Sequence, residues 1–160
     1  MSLLSPVTRS LLLANARQSR AWPGFDPRPL VRLVERGGPA RWLCTELSAD
    51  GAWLYGLADT GSASPEPGYF SLSDVSAFGS DEGARVVRDL RFFTPHRLSA
   101  WCAAARLTRS IDGAQILLER LADELGLTRG VASPVGASPA GASPVGISPA
   151  RNLQLSRLRE

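Results

Sequence analysis

Residues 30–59 hold three short runs of strand character separated by turns that leave room for nothing else. "LVRLVER" (30–36) alternates and is rich in valine, and Gly37-Gly38 follows it as a tight-turn signal. "ARWLCTEL" (40–47) is the second run, "SADG" (48–51) the second turn, and "AWLYGLAD" (52–59) the third run. A parallel neighbour needs a crossover of a dozen or more residues, so strands joined this tightly pair antiparallel, as a meander. Period-two alternation puts Leu43, Thr45 and Leu47 on one face of the second strand and Trp42, Cys44 and Glu46 on the other. Trp53, Tyr55 and Leu57 share a face of the third. With large apolar groups on both faces, the sheet needs cover on one side and at least partial cover on the other.

The flanking segments supply that cover. Ser5 followed by Pro6 is an N-cap with proline at the first helical position, and Val7, Leu11 and Ala14 recur at helical spacing with Leu12 beside them. This first helix is expected to fade near Gln18, ahead of the proline-rich "AWPGFDPRP" (21–29). After a turn-rich loop at 60–67, Gly68 to Ser71 reads as a short strand that runs straight into a helix. Ser71 or Ser73 would cap it, Asp74 would complete a capping box, and Gly79 would end it. "ARVVRDLRFF" (84–93) reads as a fifth strand, and Thr94-Pro95 as cap and first-turn proline of a helix with the stripe Leu98, Trp101, Cys102, Ala105. Asp112 is expected to cap a last helix (112–126) that buries Ala114, Leu117, Leu118, Leu121 and Leu125 and closes at Gly126. The fold class is therefore α+β: an antiparallel sheet of about five strands, packed with N-terminal and C-terminal helices in one domain over 1–129. Residues 130–160 differ in kind. The unit x-Ser-Pro-x recurs four times at five-residue spacing with glycine between the copies, a composition too small and proline-rich to bury a core, and is read as a disordered tail.

Charge is segregated along the chain. Residues 1–41 carry seven arginines against two acids, residues 42–83 carry seven acids and no arginine, and residues 84–109 carry six arginines against one acid. The chain contains no lysine, which excludes a phosphate-binding loop of the Gly-x-x-x-x-Gly-Lys type and a Schiff-base amine. The two cysteines and single histidine lie too far apart for a structural metal site, so no metal and no cofactor are expected. The N-terminal twenty residues, with Ser, Leu and Arg but no acid, have a transit-peptide composition, yet a helical reading accounts for them. No apolar run is long enough for a membrane helix, so a cytoplasmic location is expected.

Several blocks, in order, resemble a bacterial domain of unknown function, number 2958, that is common on conjugative plasmids and other mobile elements. Its pattern is roughly Thr-Trp-x-x-Thr-Glu, Phe-Gly-Leu-x-Asp, Glu-Leu-Gly-Tyr-Phe-Ser-Leu-Ser-Glu-Leu and Glu-Arg-Asp-Leu-x-Phe. Trp42, Thr45 and Glu46 match the first block, and Gly56, Leu57 and Asp59 the second. Glu66, Gly68, Tyr69, Phe70, Ser71, Leu72 and Ser73 match the third, with Pro67 and Asp74 departing from it. Arg88, Asp89, Leu90 and Phe92 match the fourth, with Val87 for Glu. The likeness runs over about residues 8–107. It implies a compact α+β domain in a mobile-element setting, and no reaction.

Three chemistries are open to these residues. Cys44 with His96 would need a base within hydrogen-bond reach of the sulfur, and nothing in the spacing provides it. Glu46, Asp59 and Glu66 are candidate carboxylates for a divalent cation or for acid–base work, against the plainer reading that Asp59 caps a turn, Glu66 pairs with an arginine and Glu46 faces solvent. Arg28, Arg32, Arg41, Arg85, Arg88 and Arg91, with Trp53 and Tyr69, are candidates for single-stranded nucleic acid or another partner, through phosphate pairing and base stacking. The preferred expectation is a non-enzymatic accessory protein that binds a protein or single-stranded DNA, with no membrane involved. A metal-dependent enzyme built on the three carboxylates is the alternative.

Overall fold

A computed structural model describes residues 3–79 and 85–126, all of them within one compact unit; the repeat-rich tail lies outside the described residues. The chain runs α1 (Pro6–Ala21), β1 (Val31–Glu35), β2 (Arg41–Leu47), β3 (Trp53–Asp59), β4 (Glu66–Ser71), α2 (Leu72–Ala77), β5 (Val86–Arg88), α3 (Leu98–Thr108) and α4 (Ile111–Glu124). The strands form one open sheet in the order β4-β3-β2-β1-β5, with every neighbouring pair antiparallel. The expected α+β class and antiparallel sheet of about five strands are what is found: β1 to β4 form a meander, and β5 returns to pair with β1.

Both faces of the sheet are covered. Val31, Leu33, Trp42, Cys44 and Leu54 pack with Leu4 and Leu12 at the start of the chain and with Val75 of α2. Leu43 and Leu57 pack on the opposite side with Trp101 and Ala105 of α3 and Ile111 and Leu118 of α4. Burial of this apolar surface is the main favourable term in the fold. The turn after β1 uses Gly37 at φ 75, a left-handed backbone that glycine adopts without strain.

Several local expectations are corrected. α1 extends to Ala21, three residues beyond Gln18, with Ser5 Oγ capping Thr8 N as predicted. Its apolar stripe faces outward: Val7 is 70 % and Leu11 52 % exposed, while Thr8 and Leu12 are buried. The inner face sets Leu12 in the core beside polar groups, because the sheet beneath it also needs hydrogen-bond partners. Thr8 Oγ1 accepts from Arg88 Nη1 at 2.7 Å, and Asn15 Nδ2 donates to the Thr45 carbonyl at 2.9 Å.

Simple alternation in β2 also fails. Cys44 faces Gly56 on β3, but the next pair is Glu46 with Tyr55, so Thr45 is an extra residue in a bulge. Leu47 therefore joins Trp42 and Cys44 on the α1 side instead of sharing the Leu43 face.

β5 is three residues long, not ten. Asp89 Oδ1 accepts from Arg91 N at 3.0 Å, an Asx turn that diverts the chain where a strand would have continued. Thr94-Pro95 precedes α3 without capping it. Arg97 is at the N-cap without a side-chain bond, and Asp26 takes that role from afar, its Oδ1 accepting from Ser99 N at 3.2 Å. Ser110, not Asp112, caps α4, its Oγ accepting from Gly113 N at 2.9 Å. The strand-to-helix junction at 71 stands as expected, with Ser71 Oγ accepting from Asp74 N.

Candidate functional site

The bulge that displaces Thr45 carries Glu46 to the end of β2, beneath the last turns of α1. Glu46 is only 8 % exposed. Ser19 Oγ of α1 donates to its Oε1 at 2.6 Å, and among the described residues it makes no ion pair. A buried carboxylate is costly unless it is paired and hydrogen-bonded, so one with a single hydroxyl partner is an unfinished arrangement. The carboxylate lines a cavity of about 180 Å³ with Ser19 and Arg20 of α1, Ser48 beyond β2, and Tyr69 of β4. Tyr69 is 68 % exposed, and its ring lies 4.8 Å from that of Tyr55, tilted by 56°. The Tyr55 phenol is held above its ordinary pKa, first by burial, then by its neighbours Cys102, Glu46 and Tyr69. The site is thus acidic at its base and aromatic at its lip, with the exposed Arg20 at the rim.

The other candidate carboxylates lie elsewhere. Asp59 is 3 % exposed, and its two oxygens are occupied: Oδ1 accepts from Gly61 N and Oδ2 from Ile111 N, each at 3.0 Å. In register Glu46 faces Tyr55 whereas Asp59 faces Arg41, so the two carboxylates sit four residues apart along the β2–β3 ladder. That spacing corresponds to about 13 Å of strand. Glu66 is exposed on β4, within 3.4 Å of Ser64 Oγ. The structure does not bring the three together, and no cluster of metal-ligating side chains occurs among the described residues.

Most of the candidate arginines are engaged internally. Arg32 donates to Gln115 Oε1 at 2.5 Å and pairs with Asp112, and Arg41 Nη2 lies 3.2 Å from the other Asp112 oxygen. Arg88 is held by Thr8, and Arg85 lies 4.0 Å from Glu35. Arg28 and Arg91 are exposed. Trp53, 47 % exposed, opens β3, and Tyr69 lies on β4, at the sheet edge opposite to β5 with its flanking Arg85 and Arg91. The aromatic and guanidinium groups therefore do not form one surface. What the sequence reading missed is the contribution of Ser19 and Arg20. The available signal was the polar spacing Thr8, Asn15, Ser19 along α1, which marks the side that meets the bulge.

Cys44 and His96 lie on opposite faces of the sheet. Cys44 is fully buried on the α1 side, and His96 lines a separate cavity of about 130 Å³ beside Trp101 and Leu118. Burial pushes the Cys44 thiol well above its ordinary pKa. The unfolded thiol ionises from about pH 9 and the folded one does not, so the stability it contributes is intact below that pH and falls as pH rises beyond it. Denaturation midpoints are expected to drop above pH 9, by up to about 1.4 kcal/mol per pH unit from this group. In native protein iodoacetamide should leave Cys44 unmodified by mass spectrometry, and urea should expose it.

Residues 3–112 match the model of a family described as "Protein of unknown function (DUF2958)". No curated protein and no solved structure matches the chain.

Proposed function

The chain belongs to that family, and on this premise we propose that it is a non-enzymatic accessory protein of a mobile element that acts by binding a protein partner. The mobile-element setting rests on the resemblance in sequence pattern. The binding reading rests on one observation: a buried carboxylate with no ion pair among the described residues and an exposed tyrosine line a small cavity beside β4, an edge strand. Among the described residues no strand pairs with the outer side of β4, and such an edge is a ready template for an added segment. A protein partner is favoured over single-stranded DNA because Arg32, Arg41 and Arg88 already hold internal acceptors, and because an acidic cavity repels a phosphate backbone.

The test is site-specific photocrosslinking in cells. A benzophenone amino acid replacing Tyr69 should give a discrete, nuclease-resistant protein adduct that the same probe replacing Ile116, exposed on α4, does not give. A nuclease-sensitive adduct would reverse the choice of partner. So would oligo(dT) affinity that falls steeply between about 50 and 200 mM salt.

A further inference from the structure

We infer that the Glu46 cavity is a receptor for one arginine side chain of the partner, an inference that rests on the protein-binding reading above. Size argues first. At about 180 Å³ the cavity is below the range of roughly 300–1,000 Å³ typical of small-molecule and cofactor sites, and on the scale of a single side chain. Charge argues second. Glu46 lies at the base, 8 % exposed, with one hydroxyl donor and no ion pair among the described residues. A carboxylate so placed gains most from a cation that brings its own N–H donors.

Shape distinguishes the two basic side chains. The Tyr69 ring stands at the lip and is backed by Tyr55. A planar guanidinium stacks on such a ring while its fork reaches the carboxylate; an ammonium offers a point charge without the plane. Ser19 lines the same cavity, and its hydroxyl, which donates to Glu46, can accept from a remaining N–H group; the Ser48 hydroxyl on the lining is already engaged, donating to Asp50 and accepting from Trp53 N. Arg20 lies at the exposed rim without an ion pair to Glu46, so it favours a partner with an acidic residue next to the inserted arginine.

The probe is N-acetyl-arginine amide, titrated into the full chain and followed by NMR of the Glu46 and Tyr69 side chains. Saturable shifts at both residues are expected at millimolar concentration. The citrulline amide, of equal shape and no charge, should bind at least about tenfold more weakly, as should arginine amide to Glu46→Gln. Tyr69→Ala, which removes an exposed ring, should weaken binding by about threefold and keeps the test open if Glu46→Gln fails to fold. Equal binding of the citrulline amide, unchanged binding to both variants, or no saturable shift at the cavity would each overturn the inference. The two readings fail separately: a Tyr69 crosslink with no arginine binding removes only the arginine receptor, and arginine binding with no protein adduct removes only the protein-partner function.

Discussion

Asp59→Ala is expected to lower stability by about 3 kcal/mol or more and to loosen α4 from the sheet. Asp59 is the last residue of β3 and is 3 % exposed, yet both of its oxygens are used. One accepts from Gly61 N and holds the turn that leaves β3. The other accepts from Ile111 N, the first residue of α4, across 52 positions of chain. Hydrogen bonds to a charged acceptor contribute about 1.5–3 kcal/mol each, and alanine would leave two amide donors unsatisfied, one of them on buried Ile111. A carboxylate at a helix N-terminus also meets the positive end of the helix dipole. Ser110 still caps Gly113 N in the variant, so α4 should persist as a helix while its docking weakens. Asp59→Asn keeps one acceptor and should cost about half as much. Urea denaturation gives the magnitude, and hydrogen exchange should show the largest loss of protection at the N-terminal turn of α4. A loss below about 1 kcal/mol would mean that Asp59 does not tie the two elements together.

The same residue shows where sequence reading stops. Asp59 stands out in the sequence as one of three carboxylates in a family-like pattern, and a catalytic role was open to it. Its actual partner lies on an element far along the chain, and no local spacing reports that. Asp26 is a second instance. Thr94-Pro95 has the form of a helix start, but α3 begins at Leu98 and takes its capping carboxylate from 73 positions upstream. The hairpins were legible because their cause is local: Gly37 in a left-handed turn and short connections force antiparallel pairing.

Periodicity reports that α1 is amphipathic without reporting which face turns inward. Here Thr8, Asn15 and Ser19 turn inward because an arginine, the bulge carbonyl of Thr45 and the Glu46 carboxylate need partners there. Glu46 and Tyr69 were both visible as candidates, for separate chemistries. Their meeting in one cavity depends on the Thr45 bulge and on the path of α1, neither of which is encoded by neighbouring residues. The charge blocks were visible too, but that Arg32 and Arg41 would converge on Asp112 was not.

Gly56→Ala should be the most damaging glycine-to-alanine change among the described residues. A Cβ at that position would lie 1.8 Å from the carbonyl oxygen of Leu43 and 2.9 Å from its carbon. Both atoms are backbone of the paired strand, so neither can rotate away. Relief requires β2 and β3 to separate at Cys44↔Gly56, the last regular pair before the bulge. Separation there would draw Leu43 and Cys44 out of the two opposite cores that they fill. A cost above about 4 kcal/mol is expected, enough to leave the variant unfolded or insoluble on expression.

Gly68, Gly56's partner on β4, is the internal control: a Cβ there meets nothing within 4 Å. Gly68→Ala should stay within about 0.5 kcal/mol of the parent. Calorimetry on the two variants separates close backbone approach from a general intolerance of side chains at these glycines. If Gly56→Ala melts within a few degrees of the parent, the tight β2–β3 contact is not real, and the bulge that delivers Glu46 to its cavity loses its geometric basis. If it fails while Gly68→Ala folds, the glycine of the Gly-Leu-x-Asp block is explained by contact with Leu43 alone, and any role in binding belongs to the residues around it.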